Sequence, residues 1–376
     1  MLNKIVLISL LLLSITGSAQ DAVEINPNHP ESYVVVKGDT LWDIAGRFLT
    51  EPWRWPEIWE SNPQIANPHL IYPGDVVSLT YEGGRPVLSV DRQGGGSTQG
   101  GGSTGRLVKL APAIRTHERS DAIPTIPIEA IRHFLVRPLV VGEDEMDSWP
   151  YIVSSFEQHL IAGARNKVYV KGMSSGSGVE NYAVYRKGDP YIAHSRDQGT
   201  ILGYEAIHIG DAVIVNDGDP ATAVITTSNR EIHNGDRLAP VSNEEVDTDF
   251  IPSSPASSVK GNIISVIDGV SQISRYQVVI MDIGEQDGVA KGNVLGIYQS
   301  GKVVQDNTTP RTARKTLNDT ALVEYLGRPK SAARTVQLPE EYAGVVMIFR
   351  TFDRVSYGLI MEATAPIHMH DAVTNL

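Results

Sequence analysis

The sequence predicts a multidomain chain: a small α+β module of βααβ order, then a mostly-β C-terminal half with a duplicated barrel- or sandwich-like unit. Three observations carry this. Residues 34–79 set two helical patterns between two β-branched runs, and residues 94–105, GGGSTQGGGSTG, form a low-complexity flexible linker. From Val168 onward short runs of Val, Ile, Tyr and Thr alternate with Gly-Asp and Asn-Gly turn signals, and one stretch of this region recurs.

The first nineteen residues read as a cleavable targeting segment, with Lys4 as its charged start, an apolar run from Ile5 to Ile15, and Gly17-Ser18-Ala19 as a small-residue cleavage site. The run is short for a bilayer span, and no cysteine follows to take a lipid. The expectation is a soluble protein exported to the periplasm. The chain has no cysteine at all, so burial alone must stabilise it. A net charge of −12 argues against nucleic acid as a partner.

The module is expected over residues 30–82. Val34 to Val36 is a short strand run ended by Gly38-Asp39. Thr40 stands where a helix N-cap belongs, with Asp43 three residues on. Leu41, Ile44, Ala45 and Phe48 recur at helical spacing and define one buried face. Pro56 fits the first turn of a second helix, on which Trp55, Ile58, Trp59 and Asn62 share a side. Pro73-Gly74-Asp75 is a turn before a closing strand, Val76 to Leu79.

Four of the five tryptophans lie in this module. Trp55 and Trp59 share a face with Ile58 and read as core. Trp42 lies off the Leu41/Ile44/Phe48 face and suits core or surface equally, and the role of Trp53, in the loop LTEPWRW, stays open. Residues 21–90 carry ten acidic and four basic side chains, so attraction to an anionic surface is not the binding mechanism.

The linker is taken as residues 92–106, and its twelve-residue stretch 94–105 has a root-mean-square span of roughly 20 Å and about 40 Å when extended. Residues 107–167 form a short mixed α/β segment, with a helix from Ile128 to Leu135 and a second short one within Glu143 to Trp149. A first β unit is expected over 168–245 and a second over 257–376. Ala221 to Leu238 aligns without gaps on Ser356 to Val373, matching Val224/Leu359, Ile225/Ile360, Ile232/Ile367, His233/His368 and Asp236/Asp371. Upstream, the run ending at Tyr185-Arg186 is similar to the one ending at Tyr298-Gln299. Duplicated β units of this kind serve as scaffolds.

No catalytic constellation emerges. A thiol nucleophile is absent. His368-Met-His370 and His117…Asp121 have the spacing of two zinc-site elements, but they lie in different segments, and His370 aligns on Gly235 of the other copy. Gly172-Met-Ser174-Ser175-Gly176 matches G-x-S-x-G, yet no helix follows it. No catalytic residue, metal ligand or cofactor is assigned.

Residues 33–79 resemble a LysM module. The resemblance rests on Tyr33 and Val35, Gly38 to Ala45, Trp55, Ile58 and Asn62, and Ile71 to Asp75. It implies binding of N-acetylglucosamine polymers such as peptidoglycan. The groove would lie between Gly38, Asp39, Thr40, Leu41 and Trp42 on one side and Asn67, Pro68, His69, Leu70 and Ile71 on the other. Backbone groups would bond the acetamido groups while apolar side chains cover the sugar faces, with affinity built by avidity.

The whole plan, module, tether and duplicated β half, resembles the type IV pilus secretin-associated protein family. Asp282 to Tyr298 also resembles the C-terminal domain of the flagellar assembly protein T. This implies a non-catalytic wall anchor for the outer-membrane secretin, with the β half docking on the secretin or forming a homo-oligomeric ring. The alternatives are a general peptidoglycan-bound scaffold, for example of a flagellar ring, and, more remotely, a wall hydrolase.

Overall fold

The computed structural model describes residues 23–59, 71–91, 122–136, 139–156, 161–173, 181–194, 198–241, 248–267, 272–301, 303–305 and 335–376. The targeting segment, the linker, Asn62 and Leu322–Tyr325, one of the runs after Val168 that read as strands, lie outside them. The chain divides into two units, Met1–Asp121 and Ala122–Leu376.

In the first unit β1 (Ser32–Val34) pairs antiparallel with β2 (Val76–Glu82), which pairs with β3 (Arg85–Asp91). Between β1 and β2 lie α1 (Leu41–Phe48), a 3₁₀ turn (Pro52–Arg54) and α2 (Trp55–Trp59). Strand β3 extends the expected βααβ order. Its hairpin turns on Gly83 and Gly84, both at positive φ (58° and 84°), the backbone a tight two-residue turn demands. Val87, Leu88 and Val90 of β3 are buried and enlarge the module's core.

The N-cap of α1 is Thr40, whose Oγ1 accepts from the Asp43 amide at 3.1 Å and donates to Asp43 Oδ2 at 2.7 Å. Leu41, Ile44, Ala45 and Phe48 are buried, and so is Trp42, at 1% exposure. Trp55, Ile58 and Trp59 are buried as well, the two indoles edge to face with centroids 6.2 Å apart. The core wraps α1 on more than one side, which is why Trp42 is enclosed although it lies off the main helical stripe.

The second unit opens with α3 (Ile128–Val136) and β4 (Leu139–Val141). The strands β5 (Tyr151–Ser155), β6 (Ile161–Ala162), β7 (Lys167–Lys171), β8 (Asn181–Ile192), β9 (Ile201–Asn216), β10 (Ala221–Ser228), β11 (Ile232–His233) and β12 (Arg237–Pro240) follow. Six of them close a ring in the order β10-β7-β5-β12-β8-β9, since β9 pairs back to β10; β4 adds to β9, and β6 pairs with β11. Ile152, Val168, Val170, Val184, Ile225 and Leu238 fill this first ring.

The second ring uses β13 (Lys260–Val266), β14 (Val278–Met281), β15 (Val294–Gln299), β18 (Glu341–Thr351), β19 (Ser356–Ala363) and β20 (Ala372–Thr374), closed in the order β13-β14-β19-β18-β15-β20. The short strands β16 (Val303–Gln305) and β17 (Thr335–Gln337) pair with each other. Matching β5, β7, β10, β9, β8 and β12 to β13, β14, β19, β18, β15 and β20 gives the same ring order in both copies. The C-terminal half is therefore mostly β and contains two six-stranded barrels of one topology.

The likeness reaches individual bonds. The Ile152 amide donates to Asp236 O at 2.9 Å, and the Ile263 amide to Asp371 O at 3.0 Å. Arg165 and Tyr276, both at positive φ (70° and 67°), each donate an amide to equivalent carbonyls, Ile225 O and Ile360 O, at 2.7 Å. A β-carbon on Gly210 would overlap the Thr227 carbonyl oxygen, and one on Gly344 would overlap that of Glu362. Those glycines sit at matched bulges where neighbouring strands approach too closely for a side chain.

Strands β8 and β9 run past the first ring as a long antiparallel arm whose end meets the second ring. There the Tyr191 and Tyr357 hydroxyls are hydrogen bonded at 3.2 Å in a buried site, and burial raises both phenols, that of Tyr357 to about 12. Helix α3 is tied to the second ring by Arg350, whose Nη1 donates to the terminal carbonyls of Phe134 and Leu135 at 3.1 and 3.2 Å. Burial lowers the pKa of this guanidinium below its ordinary value. No helix among the described residues is long and apolar enough to cross a membrane.

Candidate glycan-binding site

The loop between β1 and α1 is shaped by Asp39. Its Oδ2 accepts the Tyr33 hydroxyl at 3.0 Å and the Val36 amide at 2.9 Å, while the Asp39 amide donates to Val36 O at 3.2 Å. Gly38 takes φ +102°, with nothing within 4 Å of where a β-carbon would stand. Glycine is therefore required by the backbone and not by crowding.

The opposing turn uses the same device. Asp75 Oδ2 accepts the Tyr72 amide at 3.0 Å, and the Asp75 amide donates to Tyr72 O at 3.0 Å. The two loops are joined through Val35, whose amide donates to Asp75 O and whose carbonyl accepts from Gly74, both at 2.8 Å. A shift of either loop is transmitted to the other.

The residues expected to line the groove divide three ways. Gly38 is exposed and Asp39 half-buried. Thr40, Leu41, Trp42 and Ile71 are buried, so their side chains serve the core and cap, and only their backbone is within reach of a ligand. Asn67, Pro68, His69 and Leu70 lie outside the described residues. The indole N–H of Trp42 is buried with no hydrogen-bond partner among the described residues.

Tyr33, Asp39 and Arg47 form a cluster that helical periodicity does not mark. The Arg47 guanidinium lies 4.1 Å from the centroid of the Tyr33 ring. Burial, and then the bond to Asp39, raise the Tyr33 phenol, which keeps it a hydrogen-bond donor through the neutral range. The signal was in the sequence: Arg47 closes the last turn of α1, one helix length from the loop that Tyr33 precedes.

His368 and His370 lie in the second unit, whereas His117, Asp121 and Ser174 lie outside the described residues. Among the described residues no group of three or more His, Cys, Asp or Glu side chains is placed to hold a metal ion.

Residues 33–80 match the family model of the LysM domain. A similar curated protein is the uncharacterized protein YqbP of Bacillus subtilis (strain 168), 38% identical over 60 residues that cover 13% of this chain and 27% of that protein. The chain thus spans about a quarter of the length of the relative it matches. With the capped α1, the paired loops and the family match over the same residues, the N-terminal module is a LysM domain, a module that binds the N-acetylglucosamine-containing glycan of peptidoglycan.

Proposed function

We propose that this chain is a non-catalytic, peptidoglycan-bound protein of the periplasm that anchors the outer-membrane secretin of the type IV pilus machine to the cell wall. The LysM match carries the wall-binding half of this reading. The glycan would lie across the loop Gly38 to Thr40, meeting backbone amides and the Tyr33–Asp39 pair, because the neighbouring apolar side chains are turned inward. The first four amides of a helix lack intrahelical acceptors, and the Thr40 side chain takes that of Asp43, so the start of α1 offers its other donors to an acetamido carbonyl.

The secretin half rests on the resemblance of the whole plan, and the second unit suits it physically. Two closed rings tied by the arm, with α3 held to the second ring by Arg350, make a body suited to bearing load, and a Gly/Ser-rich linker, as the composition of residues 94–105 leads one to expect, would let the LysM domain find glycan independently. The wall contact resists displacement when pilus retraction pulls on the secretin.

The test is a pair of purifications from detergent-solubilised envelopes, one with the full chain and one with residues 107–376. Recovery of the secretin by both places partner recognition in the β half, and only the full chain should bind purified sacculi. Sacculus binding without secretin in either sample reduces the reading to a wall-bound scaffold of another envelope machine.

A further inference from the structure

The duplicated rings provide an internal control. In the first ring Asp236 accepts the His233 amide at 2.7 Å and also holds Arg186, through Nε and Nη2, at 2.8 Å each. A guanidinium is always charged, so this compensation is permanent. In the second ring Asp371 accepts the His368 amide at 2.8 Å in the same turn. The ladders set Val184 opposite Leu238 and Ile297 opposite Val373, so Gln299 stands where the first ring has Arg186. Its amide turns to the Pro366 carbonyl at 2.6 Å. His368, the counterpart of His233, has Nδ1 3.9 Å from Asp371 Oδ2, and His370 precedes Asp371 in the chain.

His370 stands where the first ring has Gly235, which is at φ +94°. It takes φ +72°, a left-handed conformation that disfavours any residue with a β-carbon. The ring so placed lies flat on His194 at the end of the arm, with centroids 4.0 Å apart and planes 19° from parallel. The His194 amide donates to Asp282 Oδ2 at 3.0 Å, and Asp282 Oδ1 accepts the Asn262 amide of β13 at 2.5 Å. The stack walls a cleft of about 480 Å³ between arm and second ring, to which Asp189 and Glu205 also contribute.

We propose that the His194–His370 stack is a pH-responsive latch that holds the tip of the arm on the second ring near neutral pH and releases it as the pH falls through the histidine range. Two imidazolium rings in face contact repel each other in a partly desolvated cleft. The groups facing the stack are Asp189 and Glu205 from the arm, Asp282 from the end of β14, and His368 and Asp371 from the turn before β20. Burial and the neighbouring His194 hold His370 below the ordinary histidine value, against the pull of Asp282 and Asp371.

A depressed histidine means that the docked form binds its proton less readily than the undocked form. Docking is therefore at full strength above the ordinary histidine value of about 6.5 and weakens as the pH falls through it. Asp371, raised by burial, works in the opposite sense, because the docked form takes up its proton more readily. The Tyr191–Tyr357 contact does not titrate in the histidine range, so release is confined to the arm tip.

Hydrogen exchange of the full-length protein at pH 7.5 and 5.5, corrected for intrinsic rates, tests this. Amides of residues 191–194 and 368–371 should lose up to about tenfold in protection per pH unit below the histidine range, the limit for one linked proton. Amides of residues 345–349, inside the second ring, should not change. His370→Gly restores the residue of the first ring, relieves the left-handed backbone and should make protection at 191–194 independent of pH. His194→Gln should do the same without touching the turn. Equal protection at both pH values in the wild type overturns the proposal. So does an undiminished pH effect in both variants, or a loss that spreads equally to residues 345–349.

Discussion

Asp236 and Asp371 hold the same turn in two different rings by the same bond, each accepting the amide three residues earlier, at 2.7 and 2.8 Å. They differ in what else they satisfy, since Asp236 alone also grips a guanidinium, that of Arg186. Asp236→Ala should therefore cost about 2 to 3 kcal/mol, and Asp371→Ala about 1 kcal/mol, in denaturant unfolding. Equal losses would mean that the Arg186 pair adds nothing net.

Gly210 and Gly344 make a second matched pair. Each faces a backbone carbonyl that a β-carbon would overlap, and backbone cannot move aside as a side chain does. Alanine at either position should destabilise its ring by about 1 to 3 kcal/mol, read as a fall in the unfolding midpoint. A neutral effect at both sites would show that the strands can separate at the bulge without loss.

Thr40→Ala removes the cap of α1 and should cost about 1 kcal/mol. Sacculus pull-downs should weaken too, because the cap fixes the end of the loop that would meet the glycan. Binding at wild-type strength by a folded variant would move the site away from this loop.

Trp42→Ala separates a core role from a sugar-stacking role. As a buried indole it should cost about 3 to 5 kcal/mol, and the module should lose glycan binding together with its near-ultraviolet circular dichroism. A variant that loses binding while the module stays folded would assign the indole to the ligand.

Much of this could be read from the chain. The Thr40 cap is visible because capping depends on side-chain chemistry at one position, and the core roles of Trp55, Ile58 and Trp59 follow from helical spacing. The duplicated unit shows through Ile232/Ile367 and Asp236/Asp371, since a buried carboxylate in a tight turn tolerates few replacements. Strand β3 was overlooked although Gly83-Gly84 announces its hairpin. Strand β1 lies at Ser32–Val34 and not at the expected Val34–Val36, since Val35 pairs with the Gly74–Asp75 turn. The enclosure of Trp42 depends on elements distant in sequence, which periodicity within one helix does not record. For the same reason no local pattern revealed that β8 and β9 reach from one ring to the other, or that His194 would meet His370.

The shared ring order also bears on how the chain sorts its strands while it folds. Backbone ladders of the two rings are interchangeable, so main-chain bonding alone gives no means of rejecting a strand borrowed from the wrong copy, a recognised hazard of repeated domains. Discrimination falls to side chains. Asp236 and Asp371 stand at the same place and cannot tell the copies apart, but a hairpin carrying Gly235 into the second ring would leave His194 without the His370 ring on which it stacks. Divergence between the copies, here glycine against histidine in one turn, is thus what distinguishes a strand of one barrel from its counterpart in the other.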